Sequence, residues 1–345
     1  MAIAKVLILG AGPAGLSAAL ALSKLSTDAE PLEIHVFELR SQPQPIGSSV
    51  NLTPLALRYL DHLGAGAGLR RRGVPVRAVD IVSFRSGRQL GSMWGGVDAM
   101  RARRADVVEA LLEVLRENAP AVCLRMGMRV VAIREKSGGD KVSLEFEGGE
   151  VVDGDLLLGC DGLHSAARTL YVDPHRPKTY TGSAVAHGLA RLQAAEKISL
   201  RLSDGRPALR DTTVVVGGRG ALLATYFEPS RETVCLTAVA NVSEVVDESV
   251  DSWRTLAGDQ DAIKRDVGEL FRTSGVEGIV ELVENCDRWS LLPVYTLPLE
   301  GAWHKGCVLL LGDAAHAVRL SFPSVFSVTH QPSFRYQPLQ IPQLI

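Results

Sequence analysis

Hydrophobic positions form short solid runs near the amino terminus and alternate with polar ones further on, and this change of period predicts the elements. Val6–Leu9 is an unbroken aliphatic run closed by Gly10, the pattern of a strand buried on both faces in a parallel sheet. Pro13–Leu25 follows with a helical period, Leu16, Ala19 and Leu20 on one side and Pro13 at a tolerated early position. Ile34–Phe37 is a second buried run, ending in Glu38, so the first 38 residues read as a strand–helix–strand crossover. Leu55–Leu63 has a helical period and Val76–Ile81 alternates like a strand. Asp106–Leu115 is expected to be a helix capped by Asp106 with Glu109 reaching back, burying Val108, Leu111, Leu112 and Leu115. Arg129–Ile133, Val142–Phe146 and Glu150–Val152 predict a meander of exposed strands, and Asp155–Leu158 another buried strand before Gly159.

From about Tyr171 to Leu297 the texture changes. Alternating runs at Thr212–Val216, Leu222–Phe227 and Thr233–Val239 dominate, interrupted by one helical stretch at Ala262–Ser274. Cys307–Leu311 returns to the solid aliphatic pattern and ends in Gly312-Asp313. The expected fold class is therefore α/β: a Rossmann-like nucleotide-binding domain (1–169, completed by 298–317) with an inserted, mostly β substrate layer (170–297). There are no internal repeats. The last 28 residues, from Val318, hold four prolines and four glutamines but no glycine, aspartate or glutamate, and no period. They are expected to form an atypical, disordered tail.

Three motifs fall at strand ends. Gly10-Ala-Gly12-Pro-Ala-Gly15 lies directly between strand and helix. There Gly10 permits the tight turn, Gly12 lets backbone approach a pyrophosphate, and Gly15 lets the helix pack on the strand. Free N–H groups and the helix dipole would face the phosphates; the competing reading is a glycine turn without ligand. Glu38 closes the second strand, where an acid accepts hydrogen bonds from a ribose, selecting FAD or NAD over a 2′-phosphate. Its bland alternative is an exposed acid at a strand end. The second motif is Asp155-Leu-Leu-Leu-Gly-Cys-Asp161-Gly162-Leu-His-Ser-Ala-Ala-Arg168, and the third Cys307-Val-Leu-Leu-Leu-Gly312-Asp313-Ala-Ala-His316. Each delivers an aspartate to the carboxyl edge of a sheet, where open α/β folds bind ligands; each could also be ordinary turn chemistry.

Composition narrows the picture. The chain has 345 residues, 46% hydrophobic and 22% charged, with a net charge of −2, which suits a soluble globular protein and not a nucleic-acid binder. The one compact basic cluster, Arg70–Arg72, reads as a solvated helix end. Five scattered cysteines include no C-x-x-C pair; Cys160 and Cys307 are expected to be buried free thiols, in a reducing compartment such as the cytoplasm. Ala2–Leu25 imitates a signal peptide but is broken by Gly10, Gly12, Pro13 and Gly15, and no segment is apolar for long enough to span a membrane.

Taken together, the three motifs resemble the class A flavoprotein monooxygenases, the group containing para-hydroxybenzoate and salicylate hydroxylases. The resemblance covers roughly residues 1–317, more loosely at Gly47–Pro54 and Arg104-Ala-Asp106; the Val50-Asn-Leu-Thr-Pro stretch is similar to fungal members. It implies FAD as cofactor and NAD(P)H as co-substrate at a single cofactor site, with one oxygen atom of O2 transferred to a small molecule. Hydroxylation or epoxidation of an aromatic or polyketide-like compound of secondary metabolism is the implied activity. By the same resemblance Gly10, Gly12 and Gly15 would cradle the pyrophosphate and Glu38 the adenosine ribose. Arg104 would reach the phosphate or ribityl region, or else be a solvated arginine before a helix. Asp161 and Gly162 would serve FAD and NAD(P)H, with Arg168 positioning that segment, and Asp313 would bind the ribityl chain. Ser49 would lie beside the cofactor, where Ser48-Ser49 replaces a glycine usual in the family. A base for a phenolic substrate could be His187, Tyr180 or Tyr226; none has a motif around it, so the catalytic residue is unassigned.

After His316 the family continues with a proline, a Gly-Gln-Gly loop and a long helix, whereas this chain reads Ala317-Val-Arg-Leu-Ser-Phe-Pro. The tail is therefore expected to be foreign sequence, from a retained intron or shifted frame, in a truncated chain. Two alternatives to an active monooxygenase follow: an inactive FAD-binding remnant, and another FAD oxidoreductase on the same scaffold. The chain lacks the tryptophan-rich signature of flavin halogenases, which weighs against the second alternative.

Overall fold

The computed structural model describes residues 3–42, 49–136, 139–192, 200–217, 220–226, 231–242 and 258–317. The expectations for Ser48 and for Val318–Ile345 fall outside them.

The chain opens with β1 (Lys5–Leu9), α1 (Pro13–Leu25) and β2 (Glu33–Glu38), then β3 (Ser49–Leu52), α2 (Pro54–Leu63) and α3 (Gly66–Arg72). Short strands β4 (Val74–Pro75), β5 (Val79–Ser83), β6 (Gln89–Met93) and β7 (Met100–Arg103) lead into α4 (Arg104–Asn118). Next come β8 (Cys123–Met126), β9 (Val130–Glu135), β10 (Val142–Phe146), β11 (Val151–Gly154) and β12 (Leu156–Gly159). A π-helical turn at Arg168–Val172 precedes β13 (Thr179–Arg191), β14 (Thr212–Gly217), β15 (Gly220–Tyr226) and β16 (Thr233–Asn241). After these lie α5 (Gln260–Phe271), α6 (Ile279–Glu284), β17 (Cys286–Thr296), β18 (His304–Lys305), β19 (Val308–Leu310) and α7 (Asp313–His316).

Strand order in the first sheet is β18-β19-β12-β1-β2-β8, parallel except for β18. Its central strand explains the solid aliphatic run. Val6 and Ile8 pack under α1 and α4 with Leu16, Leu20 and Leu111. Leu7 and Leu9 face the other way, onto Leu144 and Phe146 of the β9–β11 meander. Each fully buried aliphatic side chain contributes roughly 1.5–3 kcal/mol, so alternation has no reason to appear where both faces are covered. The meander is therefore not a set of exposed strands: Val142, Leu144 and Phe146 turn one face inward while Ser143 and Glu145 stay outside it.

The second large sheet, β17-β13-β16-β15-β14-β5-β6, is antiparallel except at the β14–β5 pair. Strands β5 and β6 thus leave the nucleotide-binding segment to become the far edge of this layer. One face lies under α5 and α6, with Leu222, Leu236, Ile263, Phe271 and Leu282 in one core. The two layers are joined by Arg101 of β7, which is 2% exposed. Its guanidinium donates to the Tyr226 carbonyl at 2.8 Å, to Thr212 Oγ1 and to Asp211 at 3.4 Å. Burial lowers its pKa and Asp211 opposes that shift.

Helix α4 begins two residues before the expected point, and Asp106 is not its cap. Arg103 occupies the cap position without a side-chain bond, and its own guanidinium binds both Asp106 oxygens at 2.6–2.7 Å. An aspartate with a neighbouring arginine at i−3 makes a charge-assisted pair in preference to a neutral cap. Cys160 is buried, but Cys307 is only half-buried. Arg70 and Arg72, at the end of α3, are paired with Asp61 and Glu113.

Candidate cofactor site

The three strand-end motifs meet at the carboxyl edge of the parallel sheet, because β1, β12 and β19 are neighbours there. Gly10 has φ +98°, and a Cβ on it would lie 2.5 Å from the Cys160 carbonyl oxygen and 2.9 Å from Asp161 Cα. A Cβ on Gly15 would lie 1.9 Å from the Gly10 carbonyl oxygen. Backbone is thus packed against backbone at both positions, and only glycine fits. Gly12 differs: as the N-cap of α1 it faces open space, with the Arg104 guanidinium nearest at 3.9 Å. Gly312 has φ +61°, and a Cβ on it would lie 3.3 Å from Ala14 Cβ at the start of α1.

Beside this edge lies a cavity of about 160 Å³ lined by Ala11, Gly12, Glu38, Arg104, Leu112 and Met126, among others. Glu38 Oε2 accepts from the Ala11 N–H at 2.9 Å and Oε1 from the Arg40 N–H at 3.0 Å. The glycine loop is therefore tied to the end of β2 by the same carboxylate that faces the cavity. Leu112 and Val108 come from the expected face of α4, while Met126 was missed by sequence reasoning. Met126 sits opposite Glu38 in the β2–β8 ladder, so a strand predicted at Cys123–Met126 could have found it.

Asp161 is turned away from this cavity. Its Oδ2 accepts from the N–H groups of Ala166 and Ala167 at 2.6 and 3.1 Å, while the buried Oδ1 has no partner. Burial raises its pKa, and hydrogen bonds from Ser165, Ala167 and Ala166 pull it back. Gly162 stands at φ +76° with nothing within 4 Å of a would-be Cβ. Arg168, 2% exposed, donates to the Leu163 carbonyl at 2.7 Å and to the Ala314 carbonyl at 3.0 Å, which locks the second motif onto the third. Arg176, which sequence reasoning did not single out, donates to Ala315 O at 3.0 Å and Pro298 O at 3.1 Å. Asp313 is exposed at the start of α7, without a hydrogen-bond partner among the described residues. Burial pushes the Cys160 thiol up to about 12, so it is inert. Ser49 is not at the cavity; it lies on β3 and hydrogen-bonds Cys235 of the second sheet.

Residues present therefore suit a dinucleotide: a cradle that a Cβ would fill at Gly12, a carboxylate for ribose hydroxyls, a cation for phosphate and an apolar wall. The FAD binding domain model matches residues 3–190 of the chain. A 3-amino-4-hydroxybenzoate 2-monooxygenase of Streptomyces cremeus is 27% identical over 90% of this chain and 72% of its own length. The 6-methylsalicylate 1-monooxygenase of Aspergillus terreus is 24% identical over 90% and 69%. Among solved structures, Klebsiella pneumoniae HpxO with FAD and uric acid superposes at TM-score 0.69, with 22% identity over 92% of this chain and 74% of that one. The chain belongs to the FAD binding domain family, as a class A flavoprotein monooxygenase whose cofactor is FAD. Among the described residues no helix is long and apolar enough to cross a membrane, and no cluster of side chains could hold a metal ion.

Proposed function

We propose that this monooxygenase hydroxylates an aromatic small molecule, taking electrons from NAD(P)H and one oxygen atom from O2. The observation that carries this reading is the meeting of Gly10–Gly15, Asp161–Gly162 and Gly312–Asp313 at one sheet edge, beside a cavity that holds Glu38 and Arg104. Aromatic substrates are specified in the names of the two monooxygenase relatives, which supports the substrate class.

Bound FAD supplies the electron storage and oxygen activation that side chains cannot. The rest falls to the chain. Gly12 and the first turn of α1 present N–H groups and the positive end of the helix dipole to the pyrophosphate. Glu38 accepts from the adenosine ribose and repels a 2′-phosphate. Arg104 pairs with phosphate charge. Asp313, without a hydrogen-bond partner among the described residues, accepts from a ribityl hydroxyl. Asp161 and Arg168 act one step back, holding the turn after β12 and the start of α7 in register.

The test is reconstitution. Purified protein incubated with FAD should turn yellow and stay so after gel filtration. It should then oxidise NADH or NADPH faster with a hydroxyaromatic present, and place one isotopically labelled oxygen from O2 in the product. Protein that retains no FAD, or that never incorporates oxygen across a panel of phenols and aryl acids, would overturn the reading.

A further inference from the structure

The seven-stranded sheet presents two different sides. On the open side, away from α5 and α6, His187 of β13 lies opposite Thr237 of β16, whereas Tyr226 packs on the helix-covered core. At the far edge of the sheet lies a second cavity, of about 120 Å³, between the β5–β6 hairpin and residues 202–210. It shares no lining residue with the cofactor cavity.

Its walls are held by hydrogen bonds. The Leu202 N–H donates to the Arg206 carbonyl at 2.9 Å and the Ala208 N–H to the Leu200 carbonyl at 2.6 Å, so residues 200–208 fold back on themselves. The Thr213 hydroxyl donates to the Ala208 carbonyl at 2.6 Å. Val82, Leu202 and Ala208 form the apolar lining and belong to the core under α5 and α6, with Pro207 exposed above them. Asp80, 3% exposed, has both oxygens engaged. Its Oδ2 accepts from Arg210 Nε at 2.9 Å, and its Oδ1 from Arg210 Nη2 at 2.7 Å and Gln89 Nε2 at 2.9 Å. Arg206 is tied in the same way to Asp204, through Nε and Nη2, both at 2.8 Å. Two arginine side chains, each more than half exposed, thus line one small cavity. Each has its Nε–Nη2 edge on an aspartate and its Nη1 without a partner among the described residues.

We propose that this cavity is a second binding site, for a small carboxylate with an apolar body such as an aryl acid. The assignment does not depend on the FAD reading. A carboxylate has two oxygens for the two Nη1 groups, and such charge-assisted bonds are short and strong. Its hydrocarbon body covers Val82, Leu202 and Ala208 and removes apolar surface from water. An apolar cavity of roughly 150 Å³ admits benzene, so a single ring is near the upper size here. Asp80 does not oppose the ligand, because its charge is already paired with Arg210, and the lining carries two cations against that one anion. Gln89 is uncharged and held on Asp80. Phosphate would use the arginines but leave the apolar lining bare. An uncharged amide would cover that lining and use neither charge.

Titration of the protein with benzoate, benzamide and inorganic phosphate, each with and without saturating FAD, tests it. Benzoate is expected to bind about tenfold more tightly than benzamide, the worth of one charge-assisted bond, and to be unaffected by FAD. The methyl resonances of Val82 and Leu202 should move with benzoate and stay in place with phosphate. Arg206→Gln, a change on an exposed side chain, should cut benzoate affinity about tenfold. It should leave benzamide binding, FAD binding and the melting temperature unchanged, and Arg206→Lys should restore part of the loss. Equal affinity for benzoate and benzamide, phosphate binding as tight as benzoate, or still methyl resonances overturn the assignment. So does an Arg206→Gln protein that binds benzoate like wild type. The wild-type methyl shifts decide even if the variant misfolds. Loss of FAD binding would count against the cofactor reading alone, because the benzoate titration does not require FAD.

Discussion

At the carboxyl edge of the parallel sheet the ligand-facing groups are largely backbone, and the glycines behind them leave no room for a side chain. On the open face of β13 and β16 every polar group is a side chain, placed by strand register and separated by leucine and valine. The first arrangement is rigid and recognises what all dinucleotides share, phosphate and ribose. The second tolerates substitution, because a strand keeps its hydrogen bonds whatever points outward, and it is where preference for one small molecule over another can be changed. Arg101 ties the two together from β7, its two terminal nitrogens bonded to Asp211, Thr212 and the Tyr226 carbonyl.

The largest expected effect contrasts two glycines of one loop. Gly15→Val should lower unfolding free energy by more than about 3 kcal/mol, since its side chain would overlap the Gly10 carbonyl. Gly12→Val should leave the urea midpoint within about 1 kcal/mol of wild type, yet weaken FAD binding at least ~100-fold by filling the cradle. If both variants behave alike, the distinction between packing glycine and ligand glycine fails.

Arg168→Met should cost roughly 2–3 kcal/mol, because the Leu163 and Ala314 carbonyls lose their charged donor. Flavin affinity should fall with it, as α7 is released from the turn after β12. Chemical denaturation and flavin fluorescence separate the two effects.

On the other sheet, pH is the lever. The His187 pKa is near 6.5 in the unfolded chain and about 4 in the folded one. Between those values the unfolded chain holds a proton that the folded chain refuses, so this group makes stability rise with pH from 4 to 6.5 and leaves it flat above. The increment is on the order of 1–3 kcal/mol. Replacing His187 by leucine should remove that slope; an unchanged profile between the two proteins would show that the imidazole is not held neutral.

Asp313→Ala should be the mildest. With no hydrogen-bond partner to lose among the described residues, its stability should match wild type, while FAD binding weakens by about 1–2 kcal/mol through one lost hydrogen bond. Calorimetric titration with FAD measures this directly, and an unaltered affinity removes Asp313 from the site.

Much of the cofactor half was legible in the chain because its signals are local. Gly10, Gly12 and Gly15 sit within six residues of one another, directly after a strand; Gly10 and Gly15 answer backbone contacts that a Cβ would forbid, and Gly12 leaves open space beside Arg104. Glu38, Arg104 and Asp313 were legible as strand-end or helix-start positions. Asp106 was misread because the capping pattern is the same whether the carboxylate finds backbone N–H groups or, as here, the guanidinium three residues before it. The β10 strand was expected to be exposed because its alternation tells only that one face is buried, not what lies over it.

What the sequence alone determined is the order of elements, the continuous hydrophobicity of β1 and β12, and the glycine chemistry at their ends, all set by interactions within a few residues. Tertiary structure alone decided that β5 and β6 complete the far sheet, that Arg168 and Arg176 hold α7 by its carbonyls, and that His187, not Tyr226, reaches the open face. The reason is physical. A strand's partner and the face its side chains take depend on residues far along the chain, and shifting a register by one position exchanges the two faces without changing the local pattern.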